Sequence, residues 1–280
     1  MFHRTIYDNS GEMENDVMAY FLTDVKKLYK NKLVILALTI LFVAVVIDPV
    51  TMRREYEQFR NPFMWWLFMN RGPGSTIFNT LQWFFPVLLT GLVFFDESKT
   101  AIYGILITKK KRSTYFLSKT LSVFVVTFFS LLCLFLLNLL LVYLVCPSDM
   151  AVEEYLIPKA DTFAAHLYQK SPLCEAVVYN VLHALSMALL STLYLAMHMI
   201  IKPKNKYLAL ILPPLIMYLL DFVTQLMAVR YSIAIILQPV AASATSFMIT
   251  GKNIIITFGV LIAIVIVCLF IGSERNRDAV

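Results

Sequence analysis

The chain has 280 residues, of which 59% are hydrophobic and only 15% carry a charge, and its mean hydropathy is +0.73. Soluble domains keep about a quarter of their residues charged, so this composition excludes an ordinary soluble protein and predicts that lipid surrounds much of the chain. The formal net charge is +6. Because no nucleic-acid-binding motif or clustered basic face accompanies it, this charge indicates membrane orientation and not a nucleic-acid partner.

The first 32 residues are predicted to be cytoplasmic and to end in an amphipathic helix. The start, MFHRTIYDNSGEMEND, is polar and acidic and lacks the apolar core and cleavage site of a signal peptide. In the next stretch, MAYFLTDVKKLYKNK, charged residues separate apolar residues that recur near helical spacing. These apolar residues are Phe21, Leu22, Val25, Leu28 and Tyr29. The pattern favours an amphipathic helix that runs into the first span.

Six segments are apolar over lengths that suit a membrane-spanning helix, for which about 20 residues are needed. In chain order they are Leu33–Ile47, lengthened by its flanks, Ile77–Phe95, Leu117–Val145, Ala176–Ile201, Tyr207–Val223 and Ile254–Ile271. The sequence therefore predicts an all-α membrane protein with a transmembrane domain at 33–271 and a cytoplasmic tail at 272–280. Before the last span, RYSIAIILQPVAASATSF is apolar but interrupted by Pro239 and small residues, which favours a re-entrant or interfacial hairpin.

Lysine and arginine residues indicate the orientation. An even number of spans places both termini on one side, and sixteen of the 24 Lys and Arg residues fall on the faces that share that side. Lys and Arg residues are enriched in the cytoplasmic loops of membrane proteins. We therefore expect both termini in the cytoplasm, in a multi-pass protein of the cell membrane. The first outer connection contains Phe59, Phe63, Trp65, Trp66 and Phe68. These aromatic residues are predicted to anchor at lipid headgroups or, alternatively, to meet a substrate that leaves the membrane.

The connection between the second and third spans, FFDESKTAIYGILITKKKRSTYFLSK, is much longer than a turn requires. Its residues Ser98–Ile107 are predicted to form a short helix, because Ile102, Ile105 and Leu106 share one face. Acidic residues at its start and cations at its end suit the helix dipole. The acids are Asp96 and Glu97, and the cations are Lys109, Lys110, Lys111 and Arg112. So short a helix must pack against something, which is either anionic lipid or a cytoplasmic partner.

Three polar side chains inside predicted spans are candidates for a substrate path: Asn180 and His183 in the fourth span and Asp221 in the fifth. Polar groups at membrane depth are functional candidates. For the fourth span we favour the alternative that Asn180, His183 and His198 form hydrogen bonds between helices, since that span shows no carboxylate partner. Asp221 lies near the outer end of its span, where water or Arg230 could stabilise its charge.

The chain lacks the sequence motifs of common enzymes. It contains no nucleotide-binding P-loop, no G-x-S-x-G and no H-E-x-x-H. We therefore expect no enzymatic activity, no cofactor and no metal site in this chain. Cys146 and Cys174 flank one outer connection, where their positions permit a disulfide without requiring one.

Taken in order, these features resemble the permeases of type 2 ATP-binding-cassette exporters. In the long connection, the resemblance depends on Glu97, on the pair Leu106 and Ile107, on Lys109–Arg112 with Ser113, and on Lys119 at the opening of the third span. Two positions depart from the family pattern, since Ala101 stands where the family has glycine and Lys110 stands near its proline. The N-terminal amphipathic helix, the six spans and the long outer connections extend the resemblance along the whole chain.

The resemblance implies that Ser98–Ile107 is a coupling helix seated in a groove of a separate ATPase subunit. Glu97 would orient this helix, Ile102, Ile105 and Leu106 would seat it, and the cations would contact the ATPase or membrane lipids. It also implies ATP and Mg²⁺ on the ATPase, a second permease subunit in a homodimer or heterodimer, and a hydrophobic or amphipathic substrate such as a peptide. The residues leave three alternatives open: an immunity or sensor protein with the same fold, an intramembrane enzyme, and an ion-coupled transporter.

Overall fold

The computed structural model of the chain describes residues 18, 20–55, 62–70, 72–99, 112–145, 162–238 and 249–275. All regular structure among these residues is helical, which confirms the predicted all-α class. The helices are α1 (20–29), α2 (Lys32–Glu55), α3 (Pro62–Trp65), α4 (Pro73–Leu81), α5 (Phe85–Leu89), α6 (Val93–Ser98), α7 (Arg112–Val145), α8 (Ala165–Lys170), α9 (Pro172–Ile201), α10 (Lys206–Ala228), a 3₁₀ turn (Val229–Tyr231), α11 (Ile233–Ile236) and α12 (Gly251–Arg275).

Five helices are long and apolar enough to cross a membrane. These spans are Lys32–Thr51, Thr114–Val145, Pro172–Ile201, Lys206–Tyr231 and Gly251–Arg275, and they correspond to five of the six predicted spans. Large apolar side chains, such as Leu226 and Phe270, are exposed on the outer faces of α10 and α12. Large apolar faces of this kind are suited to lipid and are rare on proteins that water surrounds. The chain is therefore a membrane protein.

The predicted second span, Ile77–Phe95, is not one helix, because turns divide it into α4, α5 and α6. Pro86 has no N–H to donate to the preceding turn. Gly91 and Leu92 both adopt left-handed backbone conformations, with φ of 60° and 51°. The prediction of a continuous helix is therefore wrong, since apolar length alone does not show where backbone hydrogen bonding is interrupted.

The broken segment Pro73–Ser98 runs back along α2. At one end, the carboxylate of Asp48 accepts hydrogen bonds from the backbone N–H groups of Gly74 at 2.5 Å and Ser75 at 2.8 Å, and so caps α4. At the other end, Nδ2 of Asn31 donates to the carbonyl of Gly91 at 2.9 Å. A helix covers about 25 Å between positions 31 and 48. The segment therefore spans a distance close to the thickness of the hydrocarbon core.

Helix α9 lies at the centre of the described structure and packs against α5, α7, α8 and α12. Most of its side chains are buried. Small residues such as Ala184, Ala188 and Ser191 let neighbouring helices approach closely. On the facing helix α12, Gly272 makes such a close approach, because a side chain at this position would collide with Met199.

Pro49 lies inside α2 and cannot donate to the carbonyl of Val45 one turn earlier. Nδ2 of Asn138 in α7 donates to this carbonyl instead, at 2.8 Å. The same amide accepts a hydrogen bond from the backbone N–H of Leu67 at 3.0 Å. One buried asparagine therefore compensates for the proline and joins α2, α7 and the loop at 62–70.

Pro213 in α10 has the same effect on the carbonyl of Ala209. Nε2 of His198 in α9 lies 2.8 Å from that oxygen. Because a carbonyl only accepts hydrogen bonds, Nε2 of His198 carries the hydrogen. This bond between α9 and α10 agrees with the interpretation of His198 as an interhelical hydrogen-bonding residue.

Residues 62–70 fold into the protein interior. Phe63, Trp65, Trp66 and Phe68 are all buried. The predicted position of these four residues at the lipid headgroups is therefore wrong, and Phe59 lies outside the described residues. The physical reason is that Nε1 of Trp66 donates to Oδ1 of Asn180 at 3.0 Å, so the indole needs no contact with interfacial water.

The predicted hairpin before the last span is described only in part. Helix α10 continues to Ala228, beyond its predicted end at Val223, and the 3₁₀ turn and α11 follow it. Residues 239–248 lie outside the described part of the chain. Cys146 also lies outside it, so the possible disulfide with Cys174 is not described.

Candidate functional site

Most of the predicted coupling stretch lies outside the described residues. This applies to Ala101, Ile102, Ile105, Leu106, Lys109, Lys110 and Lys111. Arg112 is the first residue of α7, and its side chain is not described. Glu97, near the end of α6, is the member of the predicted set whose side chain is described, and it belongs to a buried ionic cluster.

This Lys119 cluster consists of Asp24 and Lys27 of α1, Glu97 of α6, and Tyr115 and Lys119 of α7. Nζ of Lys119 lies 2.9 Å from Oδ1 of Asp24 and 2.9 Å from the carboxylate of Glu97. The hydroxyl of Tyr115 donates to Oε2 of Glu97 at 2.6 Å, and Nζ of Lys27 lies 3.5 Å from Oε1. The Lys119 side chain is only 1% exposed, so its charge depends on these two carboxylates.

Helical spacing brings the members of the cluster to one surface. On α7, Tyr115, Ser118, Lys119 and Ser122 are three or four residues apart, so they share a face. Asp24 lies on the buried side of α1 and faces this surface, where the hydroxyl of Ser118 also donates to it at 3.4 Å. Helical spacing on α1 and α7 therefore brings their charged residues together, and no loop is needed to position them.

The charges of these described side chains balance. Two carboxylates, Asp24 and Glu97, face two ammonium groups, Lys27 and Lys119. Burial by itself would raise the pKa of Glu97. The ammonium of Lys119, hydrogen bonds from Tyr115 and Lys119, and the nearby Lys27 outweigh burial and lower this pKa below its ordinary value. Glu97 is therefore an anion at neutral pH.

The cluster joins the two ends of the long connection. Helix α6 ends at Ser98 and α7 begins at Arg112, so the chain between them leaves from Glu97 and returns next to Tyr115 and Lys119. The hydrogen bonds of Glu97 to both residues of α7 close this connection at its base. Asp24 adds α1 to the same junction.

The turn between α9 and α10 lies beside this base. Nζ of Lys99 donates to the carbonyl of Lys204 at 2.9 Å. Nζ of Lys202 lies 3.4 Å from the carbonyl of Arg275 at the end of α12. Exposed contacts of this kind add little stability. They show, however, that several segments predicted to face the cytoplasm meet on one side of the described structure.

Asn180 and His183, predicted as candidates for a substrate path, lie together in the interior. Oδ1 of Asn180 accepts the hydrogen bond of Trp66, and the ring of His183 stacks on Phe68 with 3.6 Å between centroids. Nε2 of His183 donates to the carbonyl of Leu237 at 2.7 Å. The loop that carries Trp66 and Phe68 therefore encloses both side chains. Their hydrogen bonds join separate elements, as the alternative interpretation expected.

Asp221, the third candidate for the path, stabilises a short helix. Its Oδ2 accepts hydrogen bonds from the side chains of Ser232 and Gln225, both at 2.9 Å. Its Oδ1 accepts from the backbone N–H of Ile233 at 2.7 Å, in the first turn of α11. Three donors therefore satisfy this buried carboxylate. Asp221 also lies on the walls of two clefts that flank α10.

Sequence analysis did not identify Tyr115, Asp48 or Glu175. Glu175 is 1% exposed, and its Oε2 forms no hydrogen bond within the described part of the chain. Burial, Glu175 and Tyr143 together raise the pKa of the neighbouring Tyr168 to about 12. Because Glu175 stands in the first turn of a helix, where acids are common, the sequence contains no sign that it is buried. The described His, Cys, Asp and Glu residues form no group of three that could hold a metal ion.

Comparison of the chain with family models, with curated proteins and with solved structures found no match. Its function is therefore inferred from its own residues and contacts.

Proposed function

We propose that the chain is the membrane-spanning permease subunit of an ATP-driven exporter, of the type 2 ATP-binding-cassette class that its sequence resembles. A separate cytoplasmic ATPase subunit binds ATP and Mg²⁺ in this proposal, and a second permease subunit, identical or different, completes the transport unit. The exported substrate is hydrophobic or amphipathic, such as a peptide.

The observation that carries this proposal is the Lys119 cluster. It joins α1, α6 and α7 at the point where the long connection begins and ends. If the two ends of the connection were not bonded to the helices, a coupling helix within it could move without moving the spans. Because both ends of this connection bind one buried cluster, a displacement of Ser98–Ile107 by an ATPase would be transmitted to three helices at once.

In this proposal the broken segment Pro73–Ser98 is the second of six crossings. Its contacts near both ends of α2 support this, as does the contact of Lys119, near the start of α7, with Asp24 of α1. Six crossings would place both termini on one side, and the distribution of Lys and Arg indicates that this side is the cytoplasm. The contacts of the α9–α10 turn with Lys99 and with the end of α12 agree with that orientation.

A second candidate is an immunity or sensor protein that uses the same fold without transport. Trp66 and Phe68 enclose Asn180 and His183, so side chains fill this part of the interior of the single chain. This favours a protein without a transport path there. A permease nevertheless explains better why the Lys119 cluster joins the two ends of the long connection. Transport between two permease subunits also requires no open path through the interior of one chain.

A pull-down of the tagged chain from its native membranes in mild detergent tests the proposal, with bound proteins identified by mass spectrometry. We expect a stoichiometric ATPase with the wild-type chain. Leu106 belongs to the predicted coupling stretch and is not a member of the Lys119 cluster. We expect the Leu106→Asp variant to lose the ATPase and to keep the wild-type unfolding temperature. Glu97→Arg should lose both the ATPase and part of the stability, because it replaces the anion that Lys119 requires.

Leu173→Asp is the matched control. Leu173 is exposed in the first turn of α9, where an acidic residue suits the helix dipole, and it lies far along α9 from the turn beside α6. This variant should keep the ATPase. A wild-type sample without an ATPase, or an ATPase that Leu106→Asp retains, would contradict the proposed function.

A further inference from the structure

A cleft of about 460 Å³ separates the broken segment from α10. One wall contains Gln82, Trp83 and Phe84, from the turn between α4 and α5. The other wall contains Tyr218, Phe222 and Gln225 of α10. No residue that lines this cleft belongs to the Lys119 cluster, so the two sites are distinct.

Both walls contain backbone whose helical hydrogen bonding is interrupted. On one side, the chain turns at residues 82–84 between two short helices. On the other side, Pro214 lines the cleft next to Pro213, and neither residue has an N–H to donate within α10. Interrupted backbone at membrane depth is tolerated where protein buries it or where it lines a cavity, and in transporters it commonly marks a binding site.

Apart from the carboxylate of Asp221, the polar side chains of this cleft are neutral, and several have hydrogen-bonding capacity left. Within the described part of the chain, the side chains of Gln82, Trp83 and Tyr218 form no hydrogen bond, and Gln225 uses only its Nε2, which donates to Asp221. The cleft contains no Lys or Arg side chain, and three donors already satisfy the carboxylate of Asp221. An anionic ligand would therefore find no counter-ion, whereas a ligand with neutral donors and acceptors would find partners.

The lining combines these amides and hydroxyls with aromatic faces. Amide side chains both donate and accept hydrogen bonds, which matches the peptide group of a ligand. Trp83, Phe84 and Phe222 supply apolar contacts for ligand side chains. A second cleft, of about 380 Å³ between α10 and α12, has mainly aliphatic walls, with residues such as Ile256, Val260 and Ile264. A lipid acyl chain, which has no polar group, suits that second cleft better.

We propose that the cleft between the broken segment and α10 binds a neutral stretch of an amphipathic peptide through its backbone amides. Gln82 and Gln225 bond the peptide groups, and the three aromatic residues pack against the apolar side chains of the peptide. This inference rests on the proposed export function, because it identifies where a peptide substrate is held.

The test measures binding to the purified full chain in a neutral detergent by fluorescence anisotropy. The probe is an amphipathic peptide of leucine and glutamine with a blocked C-terminus and a neutral dansyl label on its N-terminus. We expect saturable binding that the double variant Gln82→Leu, Gln225→Leu weakens about tenfold, which corresponds to the loss of one or two hydrogen bonds. The matched control is Gln169→Leu, an exposed position on α8 outside the cleft, which should bind like the wild type.

A second probe, dansyl-labelled dodecylamide, carries a long alkyl chain and should bind all three proteins equally. Equal binding of the peptide by all three proteins, or weaker binding of both probes by the double variant, would overturn this inference. The assay needs no ATPase. Recovery of the ATPase without peptide binding would therefore refute this inference alone, and peptide binding without an ATPase would refute the ATP-driven mechanism alone.

Discussion

Lys119 and Glu97 are 22 positions apart in the sequence, yet Nζ of the first lies 2.9 Å from the carboxylate of the second. The contact is almost completely buried on the lysine side. It lies at the base of the connection that we propose to contact an ATPase, and it joins α6 to α7. A buried charge pair of this kind is also strongly sensitive to the loss of one member.

We expect Lys119→Met to lower the free energy of unfolding by about 3–5 kcal/mol, because it leaves the carboxylates of Asp24 and Glu97 buried without their shared cation. Thermal unfolding in detergent measures this loss. The control is Lys26→Met on α1, an exposed lysine, which should change stability little. Equal unfolding temperatures for the two variants would show that the cluster does not hold α1, α6 and α7 together.

The contribution of Glu97 should depend on pH. Its pKa is lower in the folded chain than the ordinary value of 4.5, so the folded state binds this proton less readily than the unfolded state. The stabilisation is therefore fully present above pH 4.5 and is lost as the pH falls through the lower pKa of the folded state. The measurement is the difference in unfolding temperature between the wild type and Glu97→Gln, from pH 7 downwards.

This difference should be constant near neutral pH and should shrink below pH 4.5. Asp96→Asn serves as the control, since Asp96 is half-exposed and forms a long ion pair, of 3.9 Å, with the exposed Lys206. Its effect should be small at every pH. A difference for Glu97→Gln that grows as the pH falls would contradict the direction of the pKa change.

The bond between His198 and Ala209 predicts a coupling between two substitutions. His198→Leu should cost about 1 kcal/mol, because the carbonyl of Ala209 loses its donor. In a Pro213→Ala background, the new N–H at position 213 can donate to that carbonyl within α10, so the same change should cost clearly less. A double-mutant cycle of unfolding free energies measures the coupling. Additive effects would mean that His198 does not compensate for Pro213.

Two glycine substitutions should have opposite effects. Gly74→Ala should cost about 3 kcal/mol, because its Cβ would collide with the carbonyl oxygen of Ala44 and with Asp48, and backbone cannot move aside as a side chain can. Gly259→Ala on α12 meets no atom within 4 Å and should stabilise its helix by up to about 1 kcal/mol. The unfolding temperatures of both variants test whether α4 packs directly on α2. Similar temperatures would exclude this close contact.

The sequence by itself determined the membrane class, the helical class and five of the spans. These properties depend on local features, since a run of about 20 apolar residues requires lipid and lipid requires that backbone groups bond within a helix. It also pointed to Glu97 and predicted a functional role for the connection that follows it. The polar nature of Asn180, His183 and Asp221 was equally visible in the sequence, but their partners were not.

Only the tertiary structure decided which distant groups meet. The donors to the carbonyls of Val45 and Ala209 come from other helices, and the sequence shows only that Pro49 and Pro213 leave those carbonyls without an internal partner. The break of the second predicted span depends on contacts with α2 and α9, because apolar composition is the same for a straight and a broken helix. The Lys119 cluster likewise exists because three separate helices bring their charged side chains together, and no local pattern specifies that meeting.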